Sequence, residues 1–329
     1  MELTEYISSV FGDFINPKKR IFLGYLLLSL LIALLWLVTV KRTNLTNALA
    51  RIFDRKILFS SSSKADYKLF VFNQLITLLI SPMLITQLTI GTAIYFFLHK
   101  QSLIAPSEFS SLSTSMIIGL FSVSMFVIDD FTKYLVHRWM HHWPVLWAIH
   151  KVHHSAETLT PITVYRVHPL EGVLYALRSA VAQGVAISIF VFAFGNAVDL
   201  YTILGVNVLV FVFHVTGSNL RHSHIEIRYW PWLERFLISP AQHQLHHSIA
   251  EKHYDKNFGA ALAIWDWMFG SLHLSEKDEQ LSFGVIGEED AASSIGALYW
   301  RPFRDIWRLF SRRAQQAKDL VGRAVGAKL

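Results

Sequence analysis

Residues 21–40, IFLGYLLLSLLIALLWLVTV, run for twenty positions without a charge. About twenty apolar residues in a helix match the hydrocarbon core of a bilayer. In that medium every backbone N–H and C=O needs a partner within the protein, which leaves helices and closed barrels as the only spanning structures. Three more apolar stretches follow: 67–98, long for one crossing and carrying Pro82; 115–136; and 172–215. The last is long enough for two crossings, with FGNAVD (194–199) as the turn. The apolar runs are continuous rather than alternating, which predicts helices. The expected fold is therefore all-α, a multi-span membrane bundle of about four to five spans. The first run does not read as a cleavable signal, because it is too long and no small-residue cleavage site follows.

Only 16% of the 329 residues are charged, against roughly 25% in a soluble domain. The net charge of +6 comes from Lys and Arg flanking apolar runs. That placement fits lipid headgroups and topology signals, and argues against nucleic acid as a partner. Segment 41–66 carries Lys41, Arg42, Arg51, Arg55, Lys56 and Lys64 and reads as cytoplasmic, whereas 99–114 is nearly uncharged and reads as outside. Counting spans onward places 137–170 and 217–329 on the cytoplasmic face, so a His-rich helical cap would sit there. Lys18, Lys19 and Arg20 conflict with this scheme, because they precede the first run and would lie outside. An N-terminal helix in the interface, or a re-entrant segment at 67–98, would reconcile them. There is no cysteine, which excludes disulfides, iron–sulfur clusters, thiolate haem and Cys-type zinc sites.

Histidine is the unusual residue, with 16 copies. DDFTKYLVHRWMHH places His137 and His141 at i and i+4. WAIHKVHHSAE places His150, His153 and His154 at i, i+3 and i+4, and SPAQHQLHHS repeats that spacing with His243, His246 and His247. On a helix each set shares one face. FHVTGSNLRHSHIEI adds His214, His222 and His224. Neutral imidazole is the commonest metal ligand, and a pair one turn apart can chelate one ion. Two triplets, a pair and a further histidine or two suit two metals at roughly four to six positions each. All-imidazole ligation favours iron, copper, zinc or nickel over magnesium and calcium. Uncompensated positive charge on the ions favours redox iron held reduced. His99 and His273 read as ordinary packing residues, and His142, His214 and His253 lean the same way. His168, in RVHPLE, reads as a hydrogen-bonding residue near the site. Asp129 and Asp130 lie about two turns before His137, where acids are costly and usually functional. One of them is a candidate to accept the second ring N–H of a ligating histidine, against a helix cap or an ion pair with Lys133 or Arg138. Glu157, Glu171 and Asp266 are further candidates.

Taken together, HRWMHH, LWAIHKVHHSAE, SPAQHQLHHS and DKNFGAALAIWDWMFGS resemble the fatty acid hydroxylase and sterol desaturase superfamily of membrane di-iron oxidases, over about residues 120–273. The resemblance implies two iron ions held by His137, His141, His150, His153, His154, His243, His246 and His247. It implies one more ligand from His222 or His224, with His224 at the slightly better spacing. Asn257, Trp265 and Asp266 fall in the closing motif, so that Asn257 and Asp266 join Asp130 as outer-sphere candidates. The implied reaction activates dioxygen with two electrons and attacks an unactivated C–H bond of a lipid or sterol, by hydroxylation or desaturation. With no P-loop and no dinucleotide fingerprint, the electrons are expected from an external reductase with a ferredoxin or cytochrome. HKVHHSAETLTPITVYRVHP looks closer to the sterol-desaturase-like and alkylglycerol-monooxygenase-like branch than to the acyl 2-hydroxylases, which keeps an ether-lipid monooxygenase as an alternative. A metal transporter would need polar residues at mid-membrane, and a zinc hydrolase would want H-E-x-x-H, which is absent. The expected organisation is an N-terminal membrane region (1–114, two spans), a catalytic region (115–275) containing the membrane hairpin 172–215, and a C-terminal tail (276–329). In that tail Phe303, Ile306, Trp307, Leu309 and Phe310 stand among basic residues. They suit either a helix lying on anionic lipid or a packing helix with a solvated basic face.

Overall fold

The computed structural model describes residues 11–101, 112–277, 279–288 and 293–326, and these are mostly helical. Helix α1 (Leu23–Leu35) continues through a π-helical turn to Val40. Short helices α2 (Leu45–Ile52) and α3 (Arg55–Leu58) follow, capped by Asn44 and Asp54. Next come α4 (Ser61–Ile80), α5 (Gln87–Lys100), α6 (Thr114–His142), α7 (Pro144–His154) and α8 (Pro169–Phe194). A two-residue antiparallel pair, β1 (Thr202–Ile203) with β2 (Val206–Asn207), precedes α9 (Val208–Val215). Helices α10 (Pro240–His246), α11 (Ile264–Met268) and α12 (Ile295–Gly326) complete the described chain. Among the described residues, four stretches are long and apolar enough to cross a membrane: Leu23–Val40, Ser61–Lys100, Thr114–His142 and Pro169–Ala197. The protein is an integral membrane protein.

Three of these stretches share one end. The α4–α5 stretch runs beside α8 in the same direction. Asn73 donates to the Val167 carbonyl at one end (2.8 Å), and His99 packs on Phe192 at the other, with ring centroids 4.9 Å apart. Helix α6 runs the opposite way. Phe121 near its start packs on Phe190, and Arg178 of α8 donates to Asp129 (2.9 Å) and Thr132 (2.8 Å) further along. The start of α4, the end of α6 and the start of α8 therefore meet on one side, and the histidine-bearing segments gather there.

Several sequence expectations change. The 67–98 stretch starts earlier, at Ser61, and is divided at Pro82 in a 3₁₀ turn (Ser81–Met83). Proline supplies no N–H to continue the ladder, and Thr86 caps the restart. The 172–215 segment is not a pair of long helices. Gly195, at φ 58°, ends α8, and the return is a tight β-turn followed by an eight-residue helix. Thr202, Ile203, Val206 and Val208 around Gly205 are β-branched, so strand pairing wins locally, and Asn207 then caps α9. Tyr201 N–H and Asn207 Nδ2 both donate to Ser122, pinning the turn to α6. Most of the expected outer loop 99–114 lies outside the described residues. Helix α12 packs against the bundle and also exposes large aromatic side chains. Leu298 is buried with Ala65, Leu69 and Val152, and Asp305 pairs with Lys151, while Trp300, Phe303, Trp307 and Phe310 are exposed.

Helices α5 and α8 touch through glycines. A Cβ on Gly184 would lie 3.0 Å from the Gln87 carbonyl and from Ile90, and one on Gly91 would lie 3.4 Å from the Gly184 carbonyl. Small residues at such crossings let two backbones approach. Gly184→Val is expected to force the helices apart at a cost of about 1–3 kcal/mol. The readout is a lower melting temperature in detergent, with Gly172→Val, which meets nothing within 4 Å, as the comparison.

Candidate metal centre

The histidines reach one place because each set rides on an element that ends there. His137 and His141 lie on the last turns of α6. The chain reverses at Trp143, and Pro144 occupies the first turn of α7, where its missing N–H costs nothing. That helix carries His150, His153 and His154 back beside α6. A capping box between Ser239 and Gln242 starts α10, which presents His243, His246 and His247. His222 arrives from a 3₁₀ turn (Ser218–His222) that begins at Gly217, φ 93°.

The side chains form two abutting groups. One nitrogen from each of His137, His141, His150, His154 and His246 lies within 4.8 Å of the others; His153, His222, His243 and His247 form a second such set. The two sets meet at His154 and His247, whose rings are 4.5 Å apart. His224 joins neither, because its Nε2 faces the Arg51 carbonyl at 2.8 Å. Of the two alternatives for the extra position, the structure brings in His222. His99, His142, His168, His214, His253 and His273 also lie outside both sets. His168 caps α8, accepting from Leu170 N–H while its Nε2 donates to the Tyr299 carbonyl.

The ring nitrogens are aimed by carbonyls. His137 Nδ1 donates to Phe258 O (2.8 Å), His153 Nδ1 to Arg166 O (3.2 Å) and His246 Nδ1 to Lys256 O (2.7 Å). His150 Nδ1 pairs with the Glu171 carboxyl group at 3.0 Å. A carbonyl can only accept, so Nδ1 of His137, His153 and His246 carries the proton and leaves Nε2 as a bare lone pair. Nε2 of His141, His150, His154 and His246, and both nitrogens of His247, are buried without a partner. In the second set, His222 Nε2 is 3.1 Å from His153 Nε2 and 2.9 Å from His243 Nε2. One proton can satisfy one such contact; a cation satisfies all of them. An unpaired buried acceptor costs about 1–3 kcal/mol, so the donor set fits metal ions and fits poorly with an apo protein.

The electrostatics agree. Burial pushes His150 down to about 3 and His153 to about 4, the latter with help from neighbouring His150. Burial and adjacent imidazoles hold His154, His222, His243, His246 and His247 well below the usual histidine range. At neutral pH these rings are uncharged, as ligands must be.

The acids stand elsewhere than expected. Asp130 accepts from Ala261 N–H, Leu262 N–H and Trp265 Nε1 at 2.8–3.0 Å, and touches no histidine. Asp129 pairs with Lys133 and Arg178. Asp266 accepts from the N–H groups of Phe258 (2.8 Å) and Gly259 (2.7 Å) and from Ser271 (2.6 Å). Asn257, at φ 56°, bonds both main-chain groups of His273 and the Gln242 carbonyl. The three outer-sphere candidates thus build loop 256–262, and that loop's carbonyls aim His246 and His137. Glu171 is the acid within hydrogen-bond distance of a ring in the first set. Sequence reading missed Arg166, which is fully buried, bonded to Asp66 (2.7 Å) and to the Val152 carbonyl, and aims His153 through its own carbonyl. An arginine two residues before His168 and an aspartate inside the apolar 61–80 stretch were the available signals for it.

A cavity of about 290 Å³ reaches both sets, lined by His141, His154, His246 and His247 with Trp147, Tyr254 and Ile286. It brings space for a bound molecule beside both groups of nitrogens.

Comparisons with known proteins match this part of the chain. Residues 122–271 match the family model for fatty acid hydroxylases. Over 201 residues the chain is 28% identical to an ornithine lipid hydroxylase of Rhizobium tropici, covering 60% of this chain and 52% of that protein. It is 28% identical to the lathosterol oxidase of Homo sapiens (54% and 51% covered) and 26% identical to the alkylglycerol monooxygenase of Homo sapiens (57% and 38%). The chain thus spans about half the length, or less, of these curated relatives. No solved structure matches at a significant level.

Asp266→Ala strips the acceptor from two buried N–H groups. It is expected to cost roughly 2–4 kcal/mol and to lower bound metal per chain, although residue 266 touches no ring. Thermal melting together with metal analysis of the purified protein checks this; unchanged metal content would count against the loop's role.

Proposed function

The chain belongs, through residues 122–271, to the fatty acid hydroxylase and sterol desaturase superfamily, and on that premise we propose that it oxidises an unactivated C–H bond of a membrane lipid or sterol-like molecule with dioxygen. The observation that supports this most is the set of nine imidazoles, split five and four, on the matched segment. We assign one iron to His137, His141, His150, His154 and His246, and a second to His153, His222, His243 and His247. Bound there, the iron pair supplies the activation of dioxygen that cleaving such a bond requires. Hydroxylation takes the C–H bond, dioxygen, two electrons and two protons to an alcohol and water. Desaturation takes two adjacent C–H bonds with the same inputs to an alkene and two waters. The two electrons come from a separate reductase through a ferredoxin or cytochrome.

The chain's own residues orient and enclose. The Phe258, Lys256 and Arg166 carbonyls keep three Nε2 atoms deprotonated and fixed in direction, and the Glu171 carboxyl group orients His150, as outer hydrogen bonds do for metal-bound imidazole. Trp147, Ile249, Val285 and Ile286 give the cavity an apolar lining, which suits an alkyl or ring carbon and limits water at the reacting bond. The relatives named for ornithine lipid, lathosterol and alkylglycerol all point to a lipid as substrate. The alkylglycerol monooxygenase relatives keep an ether lipid as the second reading. A cytoplasmic orientation is supported by the basic 41–66 segment, which packs on the site's side: Arg51 O meets His224 and Ser60 meets Thr158.

Two outcomes test this reading. Lipids from cells expressing the intact gene are expected to include a species heavier by one oxygen or lighter by two hydrogens. That species should be missing with His153→Ala or His246→Ala, and purified protein of each variant should have lost iron. Identical lipid profiles across the three strains would sink the proposal. The purified protein is also expected to turn over only when a reductase system is added; turnover with NADPH alone would remove the external donor from the scheme.

A further inference from the structure

Helix α1 has the length and hydropathy of a span, yet both its ends are tied to the face that carries the histidines. At the N-terminal end, Arg20 donates to the Ser218 carbonyl, and Asn219 returns a hydrogen bond to the Arg20 carbonyl at 2.9 Å. Ile21 is fully buried against Phe70, with Ile162 and Tyr165 around it. At the C-terminal end, Lys41 pairs with Glu226 at 3.1 Å. Residues 218 and 226 bracket His222. The first five residues of that segment form a 3₁₀ turn, which rises only about 2 Å per residue. Both ends of α1 are therefore bonded to one short segment, residues 218–226.

The middle of α1 packs beside the same segment. Tyr25 packs on His214 (ring centroids 4.9 Å), and Ala33 and Leu37 sit in one cluster with Leu220, Ile225 and Ile227. The far end of α8 behaves differently: Phe190 and Phe192 pack on Phe121 and His99, far along the bundle from the histidine groups. Helix α1 is two-sided in packing although not in polarity. Tyr25, Ser29, Ala33 and Leu37, four residues apart, are buried, whereas Leu23, Leu27, Leu31 and Leu35 form an exposed row, each 49–56% accessible. Leucine is the only residue type in that row, and water is a poor solvent for it. Lys18, Lys19 and Arg20 stand before the helix, and Lys41 and Arg42 after it.

We propose that α1 does not cross the bilayer but lies within the leaflet on the histidine side, its leucine row among the acyl chains and both basic ends in the same headgroup layer. Anchoring of this kind joins an apolar face to flanking cations that reach the headgroups. The arrangement puts residues 17–20 and 41–66 on one side of the membrane, which removes the conflict between the first basic cluster and the positive-inside pattern.

The absence of cysteine makes the test direct. Single cysteines are introduced into the full chain as Lys18→Cys, Thr46→Cys and Asn196→Cys, all at exposed positions. Each is probed in sealed inverted and right-side-out vesicles with a membrane-impermeant maleimide. Lys18→Cys and Thr46→Cys are expected to lose labelling in the same vesicle orientation, opposite to Asn196→Cys at the end of α8. An N-terminal epitope tag gives a second readout: protease added on the side that labels Thr46→Cys is expected to remove it. Labelling of Lys18→Cys and Thr46→Cys from opposite sides, or survival of the tag, would overturn the proposal.

Discussion

The structure depends on imidazole lone pairs turned inward by hydrogen bonds turned outward. A neutral ring has one proton, and giving that proton to a carbonyl fixes where the lone pair points. His137, His153 and His246 are oriented in this way by backbone oxygens from two separate segments, loop 256–262 and Arg166. The result is a buried concentration of acceptors with few donors, which a folded chain tolerates only when something positive occupies it. Burial keeps the rings neutral, and neutrality keeps them able to bind. The helices, the loop 256–262 and the buried Arg166–Asp66 pair serve that convergence.

The bilayer supplies the second constraint. Helices α4, α6 and α8 end together because antiparallel and parallel neighbours of similar length must start and stop at the same boundary. Functional residues placed at one boundary on each helix are then brought together without any long excursion of the chain. Arg178 bridging Asp129 and Thr132, and the Gly91–Gly184 approach, hold those helices in register, and any slip would be felt at His137 and Glu171.

Much of this was legible in the sequence, and the rest was hidden for definable reasons. The i, i+3, i+4 spacing of His150, His153 and His154, and its recurrence at His243, His246 and His247, survives translation into structure because a helix has a fixed period. His222 closes a five-residue 3₁₀ turn and His224 lies in irregular backbone just beyond it, too short a run for a period to choose between them. The outer partners were hidden because three are main-chain carbonyls, which any residue possesses. Asp130 and Asp266 were visible as unusual acids, but their targets, the N–H groups of residues 258–262, leave no trace in residue type. The 172–215 stretch shows that apolar length is not shape, since its second half gives a tight turn and two turns of helix.

Loop 256–262 has a consequence for biosynthesis. His137 and His246 take their orientation from oxygens at positions 258 and 256, and that loop is itself clamped by Asp130 and by Asp266, whose side chain also bonds Ser271. Histidines on α6 emerge from the ribosome more than a hundred residues before the oxygens that aim them. The centre therefore has a high contact order and closes only after the spanning helices have been laid into the bilayer. Closure of the donor set belongs to a late stage of assembly, when loop 256–262 locks over rings that were synthesised first.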